Sequence, residues 1–329
     1  MPNARVVITA RAACAAGPEA TAPLAAAGLE VVAAPRFGPL GEADLIQTLA
    51  GAAGVVASSD AYTERVFAAT PGLRVVARAG VGFDSIDLEA ATRHGVVVVT
   101  TPGRISETVA DYAFGLLLAL ARRIPEAAAA LRQQGWPVTA PGVDVWGKCL
   151  GIVGLGAIGA AVARRAAGFS LRVLGCDPAL GPEEIRARGA EPVGLSELLS
   201  QADFVTLHAA LTPASRGLLG AAELARMKPG ALLINTARGG LIDTAALVAA
   251  LARGHLGGVA LDAFDTEPLP PEHPLRAAPR CLLTPHLAFN TAENSLDMSR
   301  RAAASVAAWL GGQPLPEGVR VCNPEVLRG

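Results

Sequence analysis

Short apolar runs alternate with alanine-rich stretches through the first hundred residues of the chain. The apolar runs are rich in valine and have the length of strands, and the stretches between them have the composition of helices. Strands that alternate with helices form parallel sheets with crossover connections, and ligands bind outside the carboxyl ends of such strands. The predicted strands are RVVIT, EVVAA, GVVAS, LRVVARAG and VVVVT, and the predicted helices are EATAPLAAAG, EADLIQTLA and DLEAATRHG.

The alternation breaks at residues 100–103, and a long apolar helical segment begins at Ile105. Ser106 is a suitable residue to cap the amino end of this helix. The segment is too apolar to be solvated on every side, so it must pack against another surface. We expect that surface to belong to a second subunit, which predicts a homodimer.

A second series of strands and helices fills the middle of the chain, and an amphipathic helix follows at TAENSLDMSRRAAASVAAWLGG. The two series predict an α/β protein with two doubly wound parallel-sheet domains, Rossmann-like or flavodoxin-like. We expect the last helix to return to the first domain. One domain would then combine residues 1–103 with 292–329, and residues 104–291 would form the other.

Composition narrows the classes of function. The 329 residues suffice for two domains, 51% are apolar, and 17% are charged with a formal net charge of −1, which provides no basic face for nucleic acid. No apolar stretch reaches the roughly 18 to 20 residues of a membrane span, and no secretory signal is present. Five scattered cysteines without a CxxC pair indicate neither disulfides nor a metal site. We expect a cytoplasmic protein that binds small molecules, with no nucleic-acid or membrane partner.

The sequence GLGAIG at residues 154–159 stands between a strand-like run and a helix-forming stretch, which is the context of a dinucleotide-binding turn. Gly154 would permit the tight turn, Gly156 the approach of a pyrophosphate, and Gly159 the packing of helix on strand. Asp177 follows a second strand about 20 residues later, where a carboxylate binds the adenosine ribose and repels a 2′-phosphate. No basic residue comes directly after Asp177, so the pattern favours NAD over NADP.

Three later segments each place an ionisable residue just past an apolar run: Arg238 in LLINTARGGLID, Glu267 in GGVALDAFDTEPLP and His286 in CLLTPHLAFN. The carboxyl ends of parallel strands share one edge of a sheet, so these side chains are expected to converge. Hydride transfer from an alcohol needs a base, a cation beside the carboxylate or carbonyl oxygen, and a group that orients the base. Taken singly, His286 could cap a strand end, Arg238 could form a surface ion pair, and Glu267 could be a solvated turn residue.

At this point the chain resembles the D-isomer-specific 2-hydroxyacid dehydrogenase family, and the resemblance spans nearly its whole length. The matching stretches are VVARAGVGFDSIDLEAATRHG, TPGRISETVADYAFGLLLAL, GKCLGIVGLGAIG, NTARGGLIDTAALVAAL, GGVALDAFDTEPLP and TPHLAFNT. The resemblance implies an NAD-dependent enzyme that interconverts a D-2-hydroxy acid and its 2-oxo acid. In that role His286 would be the acid–base group, Glu267 would hold its ring, and Arg238 would bind the substrate carboxylate and polarise the reacting oxygen.

The resemblance also implies binding positions. The loop RAGVG would offer backbone N–H groups to the substrate carboxylate. His208 could instead have only a packing role at its strand end. The implied substrate loop is Arg78, Ala79, Gly80, Val81 and Gly82, and the implied cofactor contacts are Thr101, Gly154, Gly156, Ala157, Ile158, Gly159, Asp177, His208, Thr236 and Asp262.

The most similar branch is that of the phosphoglycerate dehydrogenases, in which basic residues at the positions of Arg78 and Arg93 suit a phosphate. Two departures argue against that substrate. Ile105 stands where that branch commonly has asparagine, and Pro137 and Val138 stand where it often has a basic residue. Glyoxylate or hydroxypyruvate reduction therefore remains an alternative activity.

Other readings of the resemblance concern different chemistry or none. Arg104 is an alternative anion contact, although a solvated loop arginine is the commoner case. Phosphite oxidation is disfavoured by Val81 and formate oxidation by Glu267, because those relatives carry other residues there. The alternative from another class is an NADH-sensing binding protein, similar to the related corepressors, without significant turnover.

Overall fold

The computed structural model describes residues 3–136 and 140–328, so Pro137 and Val138 lie outside the described residues. The elements before residue 101 are β1 (Arg5–Ile8), α1 (Arg11–Ala15), α2 (Pro18–Ala26), β2 (Glu30–Ala33), α3 (Glu42–Thr48), β3 (Gly54–Ala57), α4 (Glu64–Ala69), β4 (Val75–Arg78), α5 (Leu88–Arg93) and β5 (Val97–Thr100). The next elements are α6 (Ile105–Ala121), α7 (Ile124–Gln134), β6 (Cys149–Val153), α8 (Ala157–Ala167), β7 (Arg172–Cys176), α9 (Pro182–Ala187), β8 (Glu191–Pro192), α10 (Leu195–Gln201) and β9 (Phe204–Leu207). The chain continues with α11 (Ala221–Arg226), β10 (Leu232–Asn235), α12 (Thr244–Ala252), β11 (Gly258–Leu261), β12 (Cys281–Leu283), α13 (Ala292–Leu310) and β13 (Arg320–Val321).

The chain divides into two compact units. Unit 1 consists of Met1–Ile105 and Phe289–Gly329, and unit 2 is the continuous segment Ser106–Ala288. Each unit contains one sheet, and the predicted α/β architecture of parallel sheets with crossover helices is confirmed. Among the described residues, no helix combines the length and the apolar character that a bilayer crossing requires.

Unit 1 has a six-stranded sheet in the order β13-β5-β4-β3-β1-β2. Its strands are parallel except β13, which runs antiparallel to β5. Helix α13 packs directly on the sheet, because a Cβ atom on Gly54 would lie 2.7 Å from Cγ1 of Val306. The buried side chain of Asn323 accepts a hydrogen bond from Val98 N–H at 2.8 Å and so ties the carboxyl-terminal segment to β5.

Unit 2 has a seven-stranded parallel sheet in the order β12-β11-β10-β9-β6-β7-β8. The first strand of this unit, β6, lies between β7 and β9, so the chain winds outward in both directions from it. A crevice opens at such a reversal of strand order, outside the carboxyl ends of the strands, and doubly wound folds bind ligands there.

The apolar helix α6 is covered by its own unit. Residues from Ala110 to Ala121 pack in one cluster with Leu150 and Ile152 of β6, and few of the side chains on α6 are exposed. The apolar character of α6 therefore provides no argument for a second subunit, which corrects the reason given above for a dimer. The predicted cap is also wrong: the helix begins at Ile105, so Ser106 lies in its first turn, because the buried Ile105 already belongs to the apolar face.

Candidate active site

The sequence GLGAIG forms the turn between β6 and α8. Gly154 has a positive φ of 90°, and a Cβ atom there would lie 2.4 Å from the backbone nitrogen of Ala209. A Cβ on Gly159 would lie 2.1 Å from the carbonyl oxygen of Gly154, whereas a Cβ on Gly156 would meet no atom within 4 Å. Packing thus accounts for Gly154 and Gly159, while Gly156 borders open space at the amino end of α8, where an anion binds favourably.

The predicted cofactor residues Ala157 and Ile158 form the first turn of α8, Ala157 exposed and Ile158 partly buried. Asp177 stands directly after β7 and fastens the glycine-rich turn. Its Oδ2 accepts a hydrogen bond from Leu155 N–H at 2.8 Å, and its Oδ1 accepts one from Ala179 N–H at 3.0 Å. The carboxylate of Asp177 therefore fixes the backbone of the glycine-rich turn.

Two further predicted cofactor residues follow neighbouring strands of this sheet. Thr236 comes after β10, and its hydroxyl is buried with no hydrogen-bond partner in the described part of the chain. Buried hydroxyls are nearly always bonded, so a bound dinucleotide would satisfy this group. His208 comes after β9, its Nε2 is 2.9 Å from Oγ1 of Thr206, and its backbone borders Gly154. Burial lowers the pKa of His208 to about 4, so the ring is neutral near pH 7.

His286 and Glu267 belong to the loops after β12 and β11 and form a hydrogen-bonded pair. Nδ1 of His286 is 2.8 Å from Oε2 of Glu267, and Oε1 of Glu267 accepts a hydrogen bond from Phe264 N–H at 3.0 Å. Burial alone would raise the pKa of Glu267, but its bond to His286, the charge on that ring, the Phe264 N–H and the charge of Arg238 together hold it below its ordinary value. A carboxylate that accepts a hydrogen bond from Nδ1–H fixes the tautomer and makes Nε2 the atom that exchanges a proton.

Arg238 lies in the loop after β10, next to the loop that carries Glu267. A Cβ atom on Gly239 would lie 2.1 Å from the carbonyl carbon of Phe264, so the two loops meet backbone to backbone. The buried Asn235 shapes the first loop: it donates to the carbonyl of Arg238 at 2.8 Å and accepts from Ala237 N–H at 2.9 Å. The structure therefore brings Arg238, Glu267 and His286 to one edge of the unit 2 sheet.

Asp262, predicted as a cofactor contact, is fully buried and holds the histidine loop. Its carboxylate accepts hydrogen bonds from Leu287 N–H at 2.9 Å, from Ala288 N–H at 2.8 Å and from Thr284 Oγ1 at 2.6 Å. Burial raises the pKa of Asp262, and these three bonds and the charge of His286 offset part of that effect. The carboxylate oxygens thus bind a side-chain hydroxyl before His286 and two backbone N–H groups after it.

The loop at residues 78–82 follows β4 in unit 1. Gly80 N–H donates to Thr101 Oγ1 at 2.9 Å, and the same hydroxyl donates to the carbonyl of Arg78 at 3.3 Å. Thr101, also predicted as a cofactor contact, is buried, and its hydroxyl braces this loop. The N–H groups of Val81 and Gly82 make no hydrogen bond to any residue that the structure describes. Two backbone donors of the predicted substrate loop are therefore available to an anion, while that of Gly80 is engaged.

The two arginines predicted to suit a phosphate are both engaged within unit 1. Arg93 pairs with Glu64, which also bonds His94. Arg78 donates through Nη1 to the carbonyl of Ala79, the next residue of its own loop.

Sequence reasoning missed several residues that shape these loops. Asp60 is fully buried after β3 and accepts hydrogen bonds from Thr9 Oγ1 and from Leu40 N–H at 3.0 Å. Asn235 and Thr284 were missed as well. All three are polar residues at or just beyond the end of an apolar run. Arg238 was identified from the same pattern, but these three residue types do not point to a particular chemical role.

Comparison with known proteins identifies the family to which the chain belongs. The model of the D-isomer specific 2-hydroxyacid dehydrogenase, NAD binding domain, matches residues 114–288. A glyoxylate reductase of Korarchaeum cryptofilum (strain OPF8) is 42% identical over 275 residues, which are 82% of this chain and 82% of that protein. A D-3-phosphoglycerate dehydrogenase of Mycobacterium tuberculosis (strain ATCC 25618 / H37Rv) is 41% identical over 268 residues, which are 81% of this chain but only 51% of that protein.

Among solved structures, the TT0316 protein from Thermus thermophilus superposes with a TM-score of 0.84 at 41% identity, covering 95% of this chain and 98% of that one. The chain spans about half the length of the phosphoglycerate dehydrogenase and most of the length of the other two relatives. The chain therefore belongs to the D-isomer specific 2-hydroxyacid dehydrogenase family and is an NAD-dependent oxidoreductase that interconverts a 2-hydroxy acid and its 2-oxo acid.

Proposed function

We propose that His286 is the acid–base group of this reaction and that Glu267 and Arg238 complete the catalytic set. The observation that carries the proposal is the 2.8 Å contact between His286 Nδ1 and Glu267 Oε2, which commits Nδ1 and directs proton exchange to Nε2. NAD, when bound, supplies the hydride acceptor, and NADH supplies the hydride. In oxidation Nε2 accepts the hydroxyl proton, and in reduction it returns a proton to the oxygen of the former carbonyl.

Arg238 supplies a positive charge for the substrate carboxylate and the reacting oxygen, which becomes more negative as a carbonyl is reduced. For unit 1 by itself, we propose that the N–H groups of Val81 and Gly82 donate to a carboxylate. Glu267 stays ionised, in agreement with its lowered pKa, and stabilises the imidazolium that forms when His286 holds the proton. The glycine-rich turn, Asp177 and Thr236 hold the dinucleotide.

For the substrate we propose a small unphosphorylated 2-oxo acid of the glyoxylate or hydroxypyruvate type. The pairing of Arg93 with Glu64 supports this choice, because a phosphate would have to displace that carboxylate. The name of the Korarchaeum relative supports it as well. The alternative of a binding protein without turnover has no support from the relatives described above, which are named as enzymes.

The test is NADH oxidation by the purified protein with glyoxylate, hydroxypyruvate, pyruvate, phosphohydroxypyruvate and 2-oxoglutarate. We expect kcat/KM for glyoxylate or hydroxypyruvate to exceed that for phosphohydroxypyruvate by about tenfold or more. A preference for phosphohydroxypyruvate would reverse the assignment, and an Arg93→Gln variant would then show whether that arginine reads the phosphate. No turnover with any acid despite NADH binding would favour the binding protein.

We further propose a homodimer that covers the apolar residues on and after α7. Trp136 is 93% exposed and Trp146 76% exposed, and Ile124 and Leu131 lie two turns apart on one face of α7 with about half of their surfaces exposed. Sedimentation of the wild type should give twice the monomer mass, and Leu131→Glu should shift it toward the monomer. Phe37→Glu, an exposed apolar position in unit 1, is the matched control and should leave the mass unchanged.

A further inference from the structure

A second basic group lies against the glycine-rich turn. Arg188 follows α9 and donates through Nη1 to the carbonyl oxygen of Leu155, the second residue of GLGAIG. Its backbone N–H is held by the carbonyls of Glu184 and Ile185, at 3.2 and 3.1 Å. Leu155 is fully buried, so the guanidinium is placed by a rigid part of the fold.

Arg188 and Asp177 bind the two backbone polar groups of the same residue. Asp177 Oδ2 accepts a hydrogen bond from Leu155 N–H at 2.8 Å, and Arg188 donates one to the Leu155 carbonyl. The guanidinium has five N–H donors, and the Leu155 carbonyl is its one hydrogen-bond partner among residues 3–136 and 140–328. Arg186, in the last turn of α9, is instead paired with Glu183. A cation with unused donors and the acid predicted to discriminate between the dinucleotides therefore both bind Leu155.

We propose that Arg188 is a second determinant of cofactor preference, positioned to bind the adenosine 2′-phosphate of NADP and opposed by the carboxylate of Asp177. A 2′-phosphate brings two negative charges and three acceptor oxygens, which a guanidinium binds with paired, charge-assisted hydrogen bonds. The carboxylate repels the same group, so the preference for NAD results from two opposing charges. This inference rests on the proposed assignment of Asp177 and the glycine-rich turn to the cofactor.

The experiment measures Kd for NADH and, separately, for NADPH from dihydronicotinamide fluorescence, without substrate and without turnover. The proteins are the wild type, Arg188→Leu, Asp177→Asn, the double variant and Arg186→Leu as the matched control. We expect Asp177→Asn to tighten NADPH binding by about tenfold and Arg188→Leu to remove that gain in the double variant. Arg188→Leu alone should weaken NADPH binding by about tenfold and NADH binding by less than about twofold. Arg186→Leu should change neither affinity.

The outcomes separate this inference from the proposed function. Equal losses for both dinucleotides in Arg188→Leu would mean that the residue only supports the turn, and this result would overturn the inference. No effect on NADPH in either background, or a larger loss for NADH, would overturn it too. If the folded wild type binds no NADH at all, the assignment of the turn to the cofactor fails first. Thermal midpoints of all variants identify any loss that comes from unfolding.

Discussion

His286 has a positive φ of 55°, a left-handed conformation that costs a residue other than glycine about 1 kcal/mol or more. The buried carboxylate of Asp262 holds this conformation through the N–H groups of the two residues that follow. Glu267 holds the ring from the other side through Nδ1. The imidazole is therefore oriented by the protein before any substrate arrives, which is a requirement for efficient proton transfer.

Replacement of His286 by asparagine tests its role as the acid–base group. Asn cannot take up the proton, so kcat should fall by about a thousandfold, while NADH binding should change by less than about threefold. Steady-state kinetics and NADH fluorescence titration measure the two effects. His94→Asn removes a histidine that pairs with Glu64 at the surface of unit 1 and should leave both unchanged. Turnover near the wild-type rate in His286→Asn would assign the proton transfer to another group.

Thr284→Val tests whether Asp262 positions the histidine loop. The substitution removes the hydroxyl that donates to the buried carboxylate at 2.6 Å, so the unfolding free energy should fall by about 1 to 3 kcal/mol. We expect kcat to fall more than KM rises, because the loop carries the proton-transfer group and not a binding group. Thr244→Val is the control, since its hydroxyl lies 3.4 Å from Asp265 in a more exposed setting. Equal effects of the two substitutions would contradict a special role for Thr284.

At the scale of elements, the turn between β6 and α8 contains glycines of two kinds. A methyl group on Gly159 would meet the Gly154 carbonyl at 2.1 Å, whereas one on Gly156 would meet nothing within 4 Å. Gly159→Ala should therefore destabilise the protein by about 2 kcal/mol or more, because backbone has to move. Gly156→Ala should leave the thermal midpoint unchanged and weaken NADH binding by about tenfold. Unchanged NADH affinity in Gly156→Ala would remove the turn from the cofactor site.

The elements themselves could be predicted well from the sequence, because valine-rich runs and alanine-rich stretches alternate with little ambiguity. The partners of side chains could not. The apolar residues of α6 indicated burial but not which surface covers them. In the structure they pack against β6 of the same unit. Thr101 and Asp262 were predicted as cofactor contacts, but their hydrogen bonds to nearby backbone are visible only in three dimensions and could not be predicted. Short strands such as β8 and β13, with two residues each, left no periodic signal.

At the scale of the whole molecule, His208 gives the stability a defined pH dependence. Its pKa of about 4 lies below the ordinary value of 6.5, so below pH 6.5 the unfolded chain takes up a proton that the folded protein excludes. Stability therefore falls as the pH decreases from 6.5 toward 4, by at most about 3 kcal/mol. The raised pKa values of Asp60 and Asp262 act in the opposite direction, because the folded protein takes up those protons before the unfolded chain does as the pH falls toward 3.8.

Thermal midpoints between pH 7 and pH 5 isolate the contribution of His208. We expect the thermal midpoint of the wild type to fall more over this range than that of His208→Gln. The amide of glutamine does not titrate but can still form a hydrogen bond with Thr206. Parallel curves for the two proteins would mean that the pH dependence arises elsewhere.

The division of unit 1 into two segments sets an order for folding during synthesis. The strands β1 to β5 leave the ribosome first, but α13, which covers β3 through Val306, is made about 190 residues later than β5. The continuous unit 2 has all of its strands and helices by Ala288. We therefore expect unit 2 to fold before α13 has been synthesised and can pack on the strands of unit 1. Until then the valine-rich strands of unit 1 are exposed and accessible to chaperones.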